Sequence, residues 1–129
     1  FNPVAFGPTL TAADKGELTA LFSPLGECPE TAEAKLEGYA VLTGMGPTYF
    51  WFQLQALREV AIGFGLTEAE IAPALKRMVC GRTRTLLESD LTPVAVMELI
   101  PVKPLIEMEP SVTEIYRTRL PALFQRIKP

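Results

Sequence analysis

The chain contains no histidine. That absence removes the commonest general base and metal ligand, and with it every Ser-His and Cys-His nucleophile pair. Cysteine is nearly as scarce. Cys28 and Cys80 stand far apart in sequence beside apolar residues, so they build no disulfide framework and no zinc site, and buried free thiols in a reducing compartment are expected. Positive charge is the minority sign, with 12 Lys and Arg against 15 Asp and Glu and a net charge of −3. Nucleic acid is therefore a poor partner, because phosphate neutralisation needs clustered Lys and Arg. Lys76, Arg77, Arg82 and Arg84 gather loosely, but Glu68, Glu70 and Glu88 flank them and make a solvated helix face. Neither a signal peptide nor an apolar run long enough to span a membrane is present. Gly44-Met45-Gly46 is a lone G-x-G between helices, not the G-x-G-x-x-G of a dinucleotide site. Glu30, Glu33 and Glu37 are spaced for one helix face and read as solvated surface rather than as an acid/base pair.

What the chain does have is apolar surface. Its 129 residues are 48% hydrophobic and 21% charged, which specifies one folded domain and not a disordered tail. The stretch Val41 to Phe52 organises it. Gly44 and Gly46 allow close backbone approach, Pro47 suits the first position of a helix, and Tyr49-Phe50-Trp51-Phe52 follow without a break. Four consecutive aromatics cover more than half of a helix circumference, so this helix needs neighbours on several sides. A chain this short does not supply them alone. A second copy is the expected cover, over the aromatic block and the apolar last helix.

The remaining pattern predicts helices almost throughout. Thr11 caps a first helix that carries Ala12, Leu18, Leu21 and Phe22 as its apolar stripe and ends near Ser23. Residues 26–29 have room for one short strand, and Thr31 or Glu30 opens a second helix to about Leu42. A third runs from Pro47 to Phe64 and stops at Gly65. Thr67 and Glu70 form a capping box for a fourth, to about Glu88, in which Gly81 implies a close helix crossing. A fifth runs from Thr92-Pro93 to Ile100. Pro101-Val102-Lys103-Pro104 fits neither helix nor central strand. Ser111 and Glu114 form a box for the last helix, to about Ile127, with Pro121 kinking or restarting it. The prediction is an all-α bundle of about six helices, forming an interlocked homodimer.

Leu42-Thr43-Gly44-Met45-Gly46-Pro47-Thr48-Tyr49 resembles the L-S-G-S-G-P-A-Y motif of the C-terminal domain of pyrroline-5-carboxylate reductases. Gln55-Ala56-Leu57 and Gly63-Phe64-Gly65-Leu66 look like that family's E-A-L and K-L-G-L. Met78-Val79-Cys80-Gly81 is similar to its T-L-L-G, and Leu87-Glu88-Ser89 to its L-E-S. Asn2-Pro3-Val4-Ala5 resembles the N-T-P-A that ends its cofactor domain. The likeness covers about residues 1–100, and its spacing makes it specific.

The resemblance implies a divergent member whose Rossmann domain, the seat of NAD(P)H, is missing from this chain. Residues 1–10 would be the linker from it, in keeping with a start at Phe1 rather than methionine, and 11–129 the helical dimerisation and substrate domain. It implies a homodimer holding a small-molecule substrate, a cytoplasmic role in proline biosynthesis, and no activity without the cofactor domain. Thr43, Gly44, Met45 and Gly46 would form the substrate-facing turn, and Tyr49, Phe50, Trp51, Phe52 and Gly81 the dimer interface. The family's carboxylate-binding loop, T-S-P-G-G-T-T, is replaced here by Ile100-Pro101-Val102-Lys103-Pro104-Leu105. Prolines have no N–H to offer an anion, which leaves Lys103 as the possible carboxylate contact. Two other readings remain open: a non-catalytic helical interaction module, and a reductase domain for another small imino or keto acid.

Overall fold

Helix start and stop signals decide this architecture more than core packing does. The computed structural model describes residues 1–129 and holds six α-helices: α1 (Ala12–Phe22), α2 (Leu36–Tyr39), α3 (Thr48–Gly63), α4 (Glu68–Glu88), α5 (Pro93–Met97) and α6 (Glu109–Ile127). The all-α expectation holds. Short 3-10 turns occupy Ser23–Leu25, Glu33–Lys35 and Ile106–Met108, and Ala40–Gly44 forms a π turn.

Two capping boxes fix two of the long helices. The Asp14 carboxylate accepts from Thr11 Oγ1 (2.6 Å) and Thr11 N (2.8 Å), and Asp14 N donates back to Thr11 Oγ1. Glu70 accepts in the same way from Thr67 N (2.8 Å) and Thr67 Oγ1 (2.7 Å). Hydrogen bonds to a charged acceptor favour its ionised form. The Thr11 hydroxyl and then its N–H hold Asp14 below the usual carboxylate range, and the Thr67 N–H and then its hydroxyl do so for Glu70. Gly65, at φ 88°, ends α3 in a Schellman arrangement, with Leu66 N donating to Ala61 O and Gly65 N to Ile62 O. Arg58 then grips Glu68 with two guanidinium nitrogens and ties α3 to the start of α4.

Several boundaries differ from the pattern. No strand forms at 26–29. A single parallel bridge joins Val4 to Glu30, flanked by Asn2 N to Glu27 O (2.7 Å) and Thr31 N to Val4 O (2.9 Å). The second helix shrinks to four α-helical residues, because neither Glu30 nor Thr31 caps it and a 3-10 turn precedes it. Helix α5 ends at Met97, three residues short of Ile100. Helix α6 starts at Glu109, so Ser111 lies inside its first turn and no Ser111–Glu114 box forms. Pro121 does not restart α6, which continues through it. The first-helix stripe is no core either: Leu18 and Phe22 are half-buried, while Ala12 and Leu21 lie exposed. Nor are the thiols buried: Cys28 is half-buried and Cys80 exposed. No atom lies within 4 Å of where a Gly81 side chain would begin, so no helix of this chain crosses there.

The chain divides into two compact units, Phe1–Thr48 with Val112–Pro129, and Tyr49–Ser111. Each has one buried apolar side chain. Val41 (7% exposed) serves the first and Ile71 (2%) the second. The accessible surface is 10,319 Å² for 14.1 kDa.

Candidate functional site

The turn between α2 and α3 is built from unusual backbone. Met45 N donates to Ala40 O (2.9 Å), five residues back, and this widens the last turn of α2 into the π form. Single π turns recur at functional sites. Thr48 N and Oγ1 both donate to Met45 O (3.0 and 2.7 Å) and start α3 directly afterwards. Gly46 is obligatory here: a Cβ on it would stand 2.3 Å from Leu42 O. Gly44 faces open space, so only one of the two glycines is required by close approach.

Thr43 is half-buried, and its hydroxyl donates to Tyr39 O (2.8 Å). It lies on a groove of about 280 Å³ whose other lining includes Thr43's neighbour Gly44, Leu36, Tyr39, Asn2 and Phe1. The Phe1 and Tyr39 rings sit 5.9 Å apart and tilted. Asn2 Nδ2 donates to Leu25 O (3.0 Å), fixing the carboxamide. Met45 is half-buried, Gly46 buried.

Lys103 sits elsewhere, in the second unit. It is half-buried (side chain 21% exposed) and its ammonium pairs with Glu98 Oε1 at 2.5 Å. A carboxylate ligand would have to compete with that partner. A groove of about 500 Å³ surrounds it, lined also by Arg82, Met97, Ile100, Leu105 and Glu109. Arg82 lies over the Phe50 ring, 5.7 Å from its centre. Of the aromatic block, Tyr49 is half-buried, while Phe50, Trp51 and Phe52 are 42%, 65% and 68% exposed. Gly81 lines a shallow depression on α4 with Thr85 and Ser89. No group of three or more His, Cys, Asp or Glu side chains is placed to hold a metal ion, and no helix is long and apolar enough to cross a membrane.

Sequence reasoning marked the turn but missed three features, two of them beside it. The π geometry follows from an i to i−5 bond that composition does not announce. The Lys103–Glu98 pair spans five residues across a helix end, a spacing with no periodic signature. Asn2 and Phe1 read as linker, yet a short parallel ladder brings them to the groove.

The chain is thus an all-α fold with a widened turn beside a groove, and comparison with known proteins shows what it is similar to. The chain is 28% identical over 85 residues to the pyrroline-5-carboxylate reductases of two Mycobacterium tuberculosis strains, CDC 1551 / Oshkosh and ATCC 25618 / H37Rv. That match spans 66% of this chain and 29% of those relatives' length. Among solved structures, a Plasmodium falciparum pyrroline carboxylate reductase with NADP bound superposes at TM-score 0.75 with 17% identity, covering 96% of this chain and 55% of that one. A pyrroline-5-carboxylate reductase from Coxiella burnetii gives 0.54 and 23%, covering 96% and 46%. The two structures establish the shared fold. No protein-family model matches the chain. Its curated and structural neighbours are thus pyrroline-5-carboxylate reductases, and the chain spans only part of their length.

Proposed function

We propose that this chain is the dimerisation and substrate-positioning part of a pyrroline-5-carboxylate reductase-like, NAD(P)H-dependent oxidoreductase acting in the cytoplasm. The observation that carries this is the match to reductases at 28% identity over 85 residues, together with a fold likeness that covers 96% of the chain. Residues 1–10 then lead from a Rossmann domain that holds NAD(P)H, and residues 11–129 form the helical domain. When bound there, the nicotinamide would supply hydride for the C=N or C=O carbon of a small acid, which this chain would position. Thr43, Gly44, Met45 and Gly46 face the substrate, and a second copy covers Tyr49, Phe50, Trp51, Phe52 and Gly81. Exposed aromatics on α3 support the second copy.

The test is NADPH oxidation with pyrroline-5-carboxylate. The 129-residue chain alone should show no turnover, and the full-length protein should show it. Turnover by the isolated chain would refute the division of labour.

One observation favours a second reading, a helical dimerisation module without catalysis. Pro101 and Pro104 have no N–H for a carboxylate, and Lys103 is already held by Glu98. A full-length protein that dimerises but oxidises NADPH with neither pyrroline-5-carboxylate nor a panel of imines and keto acids would select it. Turnover confined to another imino or keto acid would instead mark a reductase of different substrate.

A further inference from the structure

A second groove, of about 400 Å³, runs along α2. Lys35, Gly38, Tyr39 and Leu42 wall it at helical spacing, together with Ala34 and with Phe124 of α6. Only Tyr39 also lines the groove beside Thr43. The volume is that of a small-molecule site, and Leu42 is left 68% exposed in it. Gly38 leaves a gap in this face. Its φ is not positive, and no atom lies within 4 Å of where its side chain would begin. Neither backbone angle nor packing within this chain asks for glycine there, and glycine weakens a helix relative to alanine. An occupant from outside the chain accounts for the space.

The charge beside the groove has one sign. No Asp or Glu is among its walls, although the chain as a whole carries −3. Lys35 has no carboxylate within ion-pair distance. Neither has Lys128, whose ammonium stands 5.9 Å from the centre of the Phe124 ring. From this we infer that the groove binds a short straight-chain carboxylate, with its hydrocarbon on Gly38, Leu42 and Phe124 and its anionic end at Lys35. The helical rise from Lys35 to Leu42 gives a reach of about 10 Å, which suits octanoate. Apolar walls alone would accept any hydrocarbon, and the unpaired ammonium groups select the anion. The site includes none of Thr43, Gly44, Met45 or Gly46 and no residue of the aromatic block.

The test compares octanoate, octanol and octylammonium, each below its micelle-forming concentration. Binding is followed by amide chemical shifts at Gly38, Leu42 and Phe124. Octanoate should give saturable shifts confined to the groove, octanol should bind about fivefold more weakly, and octylammonium should not bind. Lys35→Gln should weaken octanoate about fivefold and leave octanol unchanged. Gly38→Leu fills the gap and should abolish binding of both, while circular dichroism shows helicity kept or raised. Octanol or octylammonium binding as tightly as octanoate overturns the inference. So does octanoate binding that survives Gly38→Leu, or shifts that fail to saturate or spread over the whole chain.

Discussion

The turn at Val41–Gly46 and the loop at Ile100–Leu105, each taken by itself, are built in opposite ways. The turn is fixed by backbone. Val41 is buried, Met45 N closes the π turn on Ala40 O, and Gly46 fits only because it lacks a Cβ. The loop is fixed by little. Ile100, Val102 and Leu105 are exposed, two prolines remove donors, and the one half-buried cation is neutralised by Glu98. The turn is held by bonds that also join two helices, whereas the loop carries no comparable backbone tie.

A side chain added at Gly46 should cost far more than one added at Gly44 or a change at the loop. Gly46→Ala places a Cβ against Leu42 O and should destabilise by about 3 kcal/mol or more, read as a lower denaturation midpoint. Gly44→Ala, into open space inside the π turn, should change stability by less than about 1 kcal/mol. Equal effects would erase the distinction between the two glycines. Next in size, Trp51→Glu puts a charge into the face assigned to the second copy. It should weaken self-association by about 2 kcal/mol or more, some thirtyfold in dissociation constant, with helicity unchanged. At the loop, Lys103→Met removes only a part-exposed ion pair and should shift stability by less than about 1 kcal/mol. In the full-length enzyme it should raise KM for a carboxylate substrate if Lys103 contacts it, and leave KM unchanged if Glu98 keeps it occupied.

The smallest effect concerns pH. Asp14 and Glu70 have lowered pKa values in the folded state, so they contribute stability above their ordinary carboxylate values and lose it as pH falls through the lowered ones. Helicity at the starts of α1 and α4 should thus decline below about pH 4. Asp14→Asn and Glu70→Gln should flatten that dependence in amide-exchange rates at residues 12–15 and 68–71.

Local signals were the legible part of this fold. Thr11 and Thr67 with their acidic partners, Gly65 after α3 and Pro93 at the start of α5 each act within four residues, and each sits where the sequence places it. The signals that failed depend on distant chain. The expected strand at 26–29 is a single bridge because only Asn2 and Val4 reach it. The Ser111 box is pre-empted by a helix that begins at Glu109, continuous with the 3-10 turn before it. At the candidate site, the glycine motif and its resemblance marked the turn. Asn2 could not be read from pattern, since its place depends on a ladder between residues 2–4 and 27–31.

The apolar pattern showed an excess that one chain does not bury, and Trp51 and Phe52 lie open. Sedimentation of the 129-residue chain at micromolar concentration tests that account most directly. A dimer of twice 14.1 kDa, dissociated by Trp51→Glu, is the predicted result. A stable, helical 14.1 kDa monomer would contradict it.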